Sequence, residues 1–401
     1  MKRRVAIIGG GVAGLEALMA LHDMAGDRAE VALVAPDADF TYKPLWVEEP
    51  FDLGPAHQHA LAPIAQAHGA ELVQHEASAV DPEAHEVELD DGTTLDYDFL
   101  VVCAGGRFRP AFERALTFPS PGERLRIDEL LRDGASSIAF VVPTGVSWAL
   151  PIYEIALMTQ RRATELGLDP RLVVVTPEQA PLAIFGTAAS AAVSELLRAR
   201  GIDVESGAHA SEAADGELTL TPGDRRITAD RVIALPVMDG PRIPGLPADE
   251  GGFIPIDSHA RAAGLDDVYA AGDGTNFPIK QGGIGTQQAD AAAAHLSHRL
   301  GAAVDPEPFR PVLRGKLLTG GESLNLRGDV AGGGGEGEAS PDCLWWPPHK
   351  ISGRYLAAWL YHGEPREPEP PRRPLAVEVA LPQEWHEQPM ALDPYRFPTV
   401  D

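Results

Sequence analysis

Three glycines near the start of the chain, Gly9, Gly11 and Gly14, have the spacing of a turn that binds phosphate groups. They follow an apolar run from Val5 to Ile8, and the residues from Leu15 to His22 predict a helix. In such a turn the first glycine permits the sharp bend, the second lets the backbone approach a pyrophosphate, and the third lets helix and strand pack closely. The N-terminus of the helix favours negative charge. The motif therefore predicts a site for a dinucleotide, either FAD or NAD(P).

Two further segments also combine a strand with a glycine-containing turn. The residues from Asp267 to Gly274 predict a buried strand that ends at Gly272 and Asp273. An Ala-rich helix follows at about residues 285–300. The residues from Tyr97 to Gly106 have the same form, a strand followed by glycines.

Taken in order, these three segments resemble the flavoproteins that carry two dinucleotide-binding domains, with Ala104 and Gly105 in place of part of their Ala-Thr-Gly segment. The resemblance implies that Asp273 binds the ribityl chain of FAD. It also implies that Gly283 lies where the following helix points its N-terminus at the pyrimidine edge of the flavin. There the helix dipole stabilises the negative charge of the reduced ring. The implied cofactor is therefore FAD.

The composition argues against several classes of protein. The 401 residues include 33 basic and 59 acidic ones, a net charge of −26, which opposes binding to nucleic acid or anionic lipid. Two cysteines, Cys103 and Cys343, are far apart in sequence and fit a cytoplasmic protein without a disulfide framework. The apolar stretch from Ser137 to Met158 carries one charge, Glu154, but prolines interrupt it. We therefore expect no signal peptide, no transmembrane segment and no membrane association.

Alternating strands and helices predict an α/β fold. The resemblance implies two Rossmann-like dinucleotide-binding domains, with the second inserted into a split FAD domain, plus a C-terminal extension. We expect the FAD domain at 1–110 and 240–325, the inserted NAD(P)-like domain at 111–239, and a linker, an aromatic helix and a Pro-rich tail at 326–401. A long loop is expected after a strand at 31–34. The other predicted elements are strands at 5–8, 87–89, 94–95, 99–103, 138–142, 172–175, 217–220 and 231–235, and helices at about 13–25, 151–165, 188–200, 285–300 and 353–361.

Three short segments narrow the resemblance to sulfide:quinone oxidoreductases and type II NADH dehydrogenases. Ser147 to Glu154 is similar to the second β-α turn of the former, and Gln287-Gln288 to the quinone-side helix of the latter. Asp39 to Leu45 is similar to a loop of both groups. However, Trp148 occupies the position of a redox-active cysteine of the sulfide:quinone enzymes, and Cys103 stands at a packing position. We therefore expect a flavoprotein without a redox-active cysteine pair.

The turn expected to bind a second nucleotide departs from the pattern. The loop from Val142 to Ser147 contains one glycine, Gly145, where type II NADH dehydrogenases have three. The acid that would bind the ribose is replaced by Thr176. Binding of NAD(P)H therefore stays open. The FAD half lacks this acid too, and we hypothesise that Asp37 reaches the adenosine of FAD from two residues later, with a turn-forming role as the alternative.

Five side chains are the remaining candidates for the flavin pocket. Lys43 lies in the similar loop, and Lys280 would stabilise the reduced flavin or bind an acidic substrate, unless it is a solvated loop lysine. Trp148 would lie against the isoalloxazine or line the substrate side, unless it is a core residue. Gln287 and Gln288 would lie at the flavin and hydrogen-bond a quinone carbonyl, unless they form an ordinary polar helix face. The 13 histidines include no metal-ligand pattern, so we expect no metal.

The C-terminal extension contains an aromatic patch, Trp345, Trp346, Tyr355 and Trp359. Related quinone reductases carry membrane-binding helices in this region, and such helices normally show a basic polar face. Lys350 and Arg354 are present here, but the flanking acidic tail opposes membrane binding. We therefore favour packing of the patch onto the FAD domain or onto the partner in a homodimer.

These features predict an FAD-dependent oxidoreductase that passes two electrons from a small donor to a quinone-like or other acceptor. An NAD(P)H-dependent flavin reductase is one alternative. A non-catalytic flavin-binding protein, whose donor site has decayed, is an alternative of a different class.

Overall fold

The computed structural model describes residues 2–54, 57–120, 125–214, 216–329 and 335–362, and these form an α/β protein. The strands up to residue 109 are β1 (Arg3–Ile8), β2 (Ala29–Val34), β3 (Asp39–Thr41), β4 (Gln58–Ala60), β5 (Ala70–Val73), β6 (Ala77–Asp81), β7 (Glu86–Leu89), β8 (Thr94–Asp96), β9 (Phe99–Val102) and β10 (Arg107–Arg109). The next strands are β11 (Leu116–Thr117), β12 (Ser137–Val141), β13 (Arg171–Val175), β14 (Ile202–Glu205), β15 (His209–Ala214), β16 (Glu217–Thr221), β17 (Arg225–Thr228), β18 (Arg231–Ala234) and β19 (Val237–Asp239). The last strands are β20 (Val268–Ala270), β21 (Val312–Leu317), β22 (Leu324–Asp329) and β23 (Glu338–Ser340).

The helices connect and cover these strands. They are α1 (Val12–Ala25), α2 (Leu61–Ala67), α3 (Ile127–Arg132), α4 (Leu150–Glu165), α5 (Thr187–Ala199), α6 (Gly282–Arg299) and α7 (Leu356–His362). Three short 3₁₀ segments lie at Gly26–Arg28, Lys43–Phe51 and Ala183–Phe185.

The first parallel sheet has the strand order β20-β9-β1-β2-β5. Four of its strands lie within the first 102 residues, whereas β20 comes from residues 268–270. β9 is buried along its whole length, as expected for a parallel strand covered on both faces. Helices α1 and α6 pack together against this sheet. The chain therefore leaves this sheet and returns to it, as a split domain requires.

The second parallel sheet has the order β11-β18-β12-β13-β14, and all of its strands lie between residues 116 and 234. Each parallel sheet is accompanied by a three-stranded antiparallel sheet, β6-β7-β8 in the first case and β15-β16-β17 in the second. The expected α/β class with two nucleotide-fold units is confirmed. The predicted domain boundaries stay a proposal, and the one at 325/326 falls inside β22.

Two parts of the chain differ from the sequence-based expectation. The expected long loop after residue 34 contains β3, β4, α2 and β5, and β5 joins the first sheet. The short, partly exposed strands there lack the apolar runs that identify buried strands. The expected linker at 332–338 includes the start of β23, which pairs with β22. The Pro-rich tail lies outside the described residues.

The C-terminal segment packs onto the first unit rather than extending away from it. Glu16, in α1, is fully buried and accepts hydrogen bonds from the backbone N–H groups of Tyr355 (2.8 Å) and Leu356 (2.7 Å). The Tyr355 hydroxyl donates to Asp23 (2.8 Å), and Trp359 packs against the same core. For Tyr355 and Trp359 this agrees with the expected packing of the aromatic patch on the FAD domain, whereas Trp346 is 38% exposed and contacts Tyr361 edge-on.

In the described parts of the chain, the helices are too short or too polar to cross a lipid bilayer.

A buried carboxyl pair makes the stability of this packing depend on pH. Burial, followed by the nearby charge of Glu16, raises the pKa of Asp290 in α6 to about 8. The folded protein therefore keeps a proton that the unfolded chain, with an ordinary Asp pKa of 3.8, loses at lower pH. Hence the contribution of Asp290 to the free energy of unfolding is complete below pH 4 and is lost as the pH rises to about 8.

We expect Asp290→Asn to flatten the decline in the free energy of unfolding between about pH 4 and pH 8, and to stabilise the protein at pH 8. Urea unfolding of the two proteins across this range measures the effect. Asp27→Asn, at an exposed carboxylate, is the control and should keep the slope of the unchanged protein. If Asp290→Asn leaves the slope unaltered, the folded protein does not hold the extra proton on Asp290.

Candidate active site

A cleft of about 760 Å³ lies at the carboxyl ends of strands from both parallel sheets. On the first sheet it is lined by the residues that follow β1, β2, β9 and β20. On the second it is lined by the residues that follow β12 and β18. Ligands of open α/β sheets bind at this edge, so the cleft is the candidate active site.

The glycine turn after β1 has the geometry that a pyrophosphate site requires. Gly9 has a φ of +108°, and a side chain there would overlap the Cys103 carbonyl oxygen. A side chain at Gly14 would overlap the Gly9 carbonyl oxygen. At Gly11 the same space is open, and no side chain caps the N-terminus of α1. The Gly9 N–H donates to the Val34 carbonyl oxygen at 2.8 Å, but the N–H groups at the uncapped start of α1 are available to an anion, which fits the phosphates of FAD.

Other predicted cofactor residues lie around the same cleft. Asp37 is exposed and lines it, next to Ala35, which contacts the glycine turn. Ala104 and Gly105 line it after β9, and Gly272 lines it after β20. Their assigned contacts with FAD remain predictions.

Asp273 and Lys280 form the electrostatic centre of the cleft. Burial raises the pKa of Asp273, whereas the charges of Lys280 and Lys43 act to lower it. Burial also lowers the pKa of Lys280 to about 8, against the opposing charges of Asp273 and Asp249. The Lys280 ammonium donates to the Thr275 carbonyl oxygen. Lys280 is thus a part-buried residue that loses its proton near neutral pH, and not a solvated loop lysine.

Lys43 and Trp148 both line the cleft, as predicted. Lys43 begins the 3₁₀ segment, is exposed, and lies with its ammonium 5.4 Å from the centre of the Trp46 ring. Trp148 is half-buried and packs edge-on against Phe185 at 5.7 Å between ring centres. One face of Trp148 thus belongs to the core while the residue also borders the cleft.

Gln287 and Gln288 lie elsewhere, which argues against their predicted contact with a quinone. The Gln287 side-chain amide donates to the carbonyl oxygens of Val312 and Gly283. It also accepts a hydrogen bond from the Val312 N–H. The Gln288 side chain is buried, accepts from the Gly272 N–H at 2.8 Å and contacts the Thr275 hydroxyl. Both glutamines therefore position backbone segments.

Two of the glycines that are predicted to bind the cofactor are not among the residues that line the cleft. Gly14 acts in packing, as its overlap with the Gly9 carbonyl oxygen indicates. Gly283 lies against Gln281 and Ser352, whereas Gly282 and Gly285 of the same helix line the cleft. The sequence pattern alone does not show which residues in the first turn of α6 face the cleft.

An ion pair in the cleft wall has no counterpart among the sequence-based predictions. Glu154 of α4 and Lys350 of the C-terminal segment lie 2.7 Å apart, with 0% and 10% of their side chains exposed. The Lys350 ammonium also donates to the Pro44 carbonyl oxygen at 3.0 Å, and Glu154 accepts from the Leu318 N–H at 2.8 Å. The signal available was that Glu154 is the single charge in an apolar stretch of 22 residues. Its partner, 196 residues away, could not be inferred.

The two cysteines have the environments of structural residues. Burial raises the pKa of the Cys103 thiol to about 12, so it holds its proton at neutral pH. The Cys343 thiol donates to the Trp345 carbonyl oxygen at 2.9 Å. The two cysteines are not joined in a disulfide bond.

The acid nearest to the expected ribose position of the second unit is folded into the core. Glu178 accepts hydrogen bonds from the Tyr153 hydroxyl (2.6 Å) and the Thr176 hydroxyl (3.0 Å). Burial raises its pKa to about 7. Gly145 nevertheless lines the cleft, with a φ of +88°.

The class of two-domain dinucleotide-binding oxidoreductases is defined by three features that are present here. These are a split nucleotide-fold unit, a second nucleotide-fold unit inserted into it, and a cleft shared by the strand ends of both units. Comparison with known proteins makes this specific. The sequence profile of the pyridine nucleotide-disulphide oxidoreductase family matches residues 3–141 and 149–295, and the chain belongs to this family. It is an FAD-dependent oxidoreductase.

Individual relatives include both groups named from the sequence and one that was not. The ferredoxin reductase component of chlorobenzene dioxygenase from Cupriavidus sp. is 26% identical over 83% of this chain and 82% of its own. An NADH dehydrogenase-like protein of Mycobacterium tuberculosis is 24% identical over 67% of this chain and 72% of its own. The structure of sulfide:quinone oxidoreductase from Aquifex aeolicus superposes with a TM-score of 0.77 at 19% identity, covering 84% of this chain and 86% of that one.

Proposed function

We propose that the protein passes two electrons from a small donor through FAD to a quinone-like or other acceptor, without a redox-active cysteine pair. The observation that carries this proposal is the uncapped start of α1, which opens at Gly11 into the same cleft as Asp273 and Lys280. The cleft thus offers both a backbone site that suits a dinucleotide and ionisable side chains where chemistry could occur.

The residues proposed to hold FAD are supplied by the ends of the first sheet. The turn at Gly9 and Gly11 would bind the pyrophosphate, Asp37 the adenosine, and Asp273 the ribityl chain. When bound, FAD supplies two-electron redox chemistry that the protein side chains cannot.

Lys280 is the residue we propose to balance charge during turnover. Its pKa of about 8 lets the ammonium stabilise developing negative charge or give up a proton near neutral pH. The Thr275 carbonyl oxygen and the Phe253 ring, 3.7 Å from the ammonium, hold it in place. Asp273 favours the charged form.

A cysteine-independent route is supported by the surroundings of both thiols. Cys103 is protonated and buried, and Cys343 is bonded to the backbone of its own loop. Trp148 occupies the cleft position where a redox-active cysteine would be expected. Donors would therefore react with the cofactor directly.

Use of NAD(P)H is the second candidate function. It is favoured by relatives such as the ferredoxin–NAD(+) reductase subunit of the benzene 1,2-dioxygenase system from Pseudomonas putida, 26% identical over 83% of this chain. The buried Glu178 counts against it, because this acid is engaged by Tyr153 and Thr176. Membership of an enzyme family counts against the non-catalytic alternative.

Anaerobic reduction of the purified holoprotein tests these functions. The visible absorbance of the bound flavin is followed after separate additions of NADH, NADPH, sulfide and a small thiol. Fast bleaching by sulfide or the thiol, followed by reoxidation with a soluble quinone, supports the first proposal. Bleaching by NADH or NADPH supports the second. Retained flavin that none of the four reduces would contradict both, and a purified protein that neither retains nor rebinds FAD would overturn the assigned cofactor.

A further inference from the structure

The lysines of this protein are concentrated in one place. The chain contains five lysines, whereas the other 28 of its 33 basic residues are arginines. Four of the five, Lys43, Lys280, Lys316 and Lys350, line the cleft, and the fifth, Lys2, lies on the surface. Among the described residues that line the cleft there is no arginine. A chain that uses arginine for most of its positive charge thus uses lysine at its candidate active site.

This choice has a physical meaning. Lysine ends in a compact ammonium with three donors, and its pKa can shift, whereas arginine carries a large planar group with fixed geometry. The cleft therefore presents small point charges to its contents. Such charges suit the oxygen atoms of an anion that must share a narrow space with a bulky cofactor.

Two of the four lysines are already balanced by carboxylates. Lys350 is paired with Glu154 at 2.7 Å, and Lys280 lies in the field of Asp273 and Asp249.

The other two lysines leave positive charge in the cleft. Within the described residues, neither Lys43 nor Lys316 has a carboxylate oxygen within 4 Å of its ammonium. Lys316 is half-buried, and its ammonium contacts the Pro348 carbonyl oxygen at 3.5 Å. Lys43 lies over the Trp46 ring and is close enough to Asp273 to influence its pKa. Lys316 thus contacts backbone and forms no ion pair with a described residue.

Apolar and aromatic side chains line the same cleft. Trp46, Phe118, Trp148 and Pro151 line it, and Trp148 is only half-buried. These residues belong to the 3₁₀ segment and the inserted unit, not to the glycine turn that suits the pyrophosphate. The cleft therefore combines flat apolar walls with two lysines, Lys43 and Lys316, that form no ion pair with a described residue, although five carboxylates also line it: Asp37, Asp39, Glu154, Asp249 and Asp273.

We propose that the cleft binds, beside the cofactor, a small organic anion with a planar apolar body. The acid group is held by the charges of Lys316 and Lys43, and the body lies against Trp148. This inference rests on the proposed function, because it identifies the chemical class of the substrate of the same site.

Titration of the oxidised holoprotein, followed by the perturbation of its flavin absorbance, tests the inference without turnover. The probes are benzoate and 2-naphthoate, each compared with its neutral amide. We expect at least one acid to bind about tenfold more tightly than its amide, as one charge-assisted hydrogen bond provides. Lys316→Met should remove this preference, while Lys316→Arg should retain part of it. Lys2→Met, which changes the net charge equally at the surface, should leave it unaltered.

Equal affinity for acids and amides would overturn the proposal, as would binding of neither at millimolar concentration. So would a preference for the acid that survives Lys316→Met in a variant retaining its full flavin content. The electron-transfer proposal is judged separately, because donors are tested on the same samples for bleaching of the flavin. A protein that is reduced by a donor but does not discriminate acids from amides refutes this inference alone.

Discussion

Gly14→Ala is expected to prevent accumulation of the folded, flavin-containing protein. A methyl group at this position would overlap the Gly9 carbonyl oxygen, and neither α1 nor β1 can move away because both are buried in the core of the first unit. Overpacking of this kind, against backbone, costs about 3 kcal/mol or more. The yield of soluble protein, its flavin content and its urea midpoint measure the effect.

Gly11→Ala is the matched variant, three residues earlier in the same turn. Its φ of −87° suits alanine, and the added methyl group meets no atom within 4 Å. We expect a fold of unchanged stability in the apoprotein but weakened FAD binding, because the methyl group occupies the approach of the pyrophosphate. Unchanged FAD affinity in Gly11→Ala would contradict the assigned phosphate site. Normal folding of Gly14→Ala would contradict the close packing of α1 against the Gly9 carbonyl group.

Lys350→Met is expected to destabilise the protein by about 3 kcal/mol, because it leaves the buried carboxylate of Glu154 without its partner. The pair joins α4 of the inserted unit to the C-terminal segment, and Lys350 also binds the backbone of Pro44. Urea unfolding at neutral pH gives the change in the free energy of unfolding. We expect the C-terminal segment to become more accessible to proteases in the same variant.

The double variant Glu154→Gln/Lys350→Met separates the loss of charge balance from the loss of contacts. A glutamine can still accept the hydrogen bond from the Leu318 N–H, so most of the lost stability should return. Arg161→Met breaks an exposed ion pair with Glu165 on the same helix and should cost less than about 1 kcal/mol. A Lys350→Met effect no larger than that of Arg161→Met would show that the buried pair contributes little.

The sequence predicts most of what depends on local pattern. The helix after the glycine turn is expected at 13–25 and lies at Val12–Ala25, and the strand expected at 172–175 lies at Arg171–Val175. Both predictions depend on apolar patterns that extend over only a few neighbouring residues. The short strand β5 is absent from the sequence-based prediction because its sides are only partly buried, although it completes the first sheet.

The site is predicted in part, for a similar reason. Four of the predicted residues lie in or next to recognisable sequence segments, and all of them line the cleft: Lys43, Trp148, Asp273 and Lys280. The Glu154–Lys350 pair and the cleft-lining Lys316 depend on contacts between elements far apart in the chain, which no local pattern encodes. Gln287 and Gln288 hydrogen-bond to neighbouring backbone, which a helix pattern does not reveal, and their roles at the flavin and a quinone stay predictions.

The division of the first sheet has a consequence for the order of events during synthesis. All strands of the second sheet lie between residues 116 and 234, so its partners are together once that stretch has left the ribosome. The first sheet must wait for β20, and α1 must wait for α6 and for the backbone at residues 355–356 that Glu16 binds. Because long-range contacts form slowly, we expect the middle of the chain to fold first. The nucleotide turn at residues 9–14 would then become able to hold its ligand only after residues 355–356 have been made.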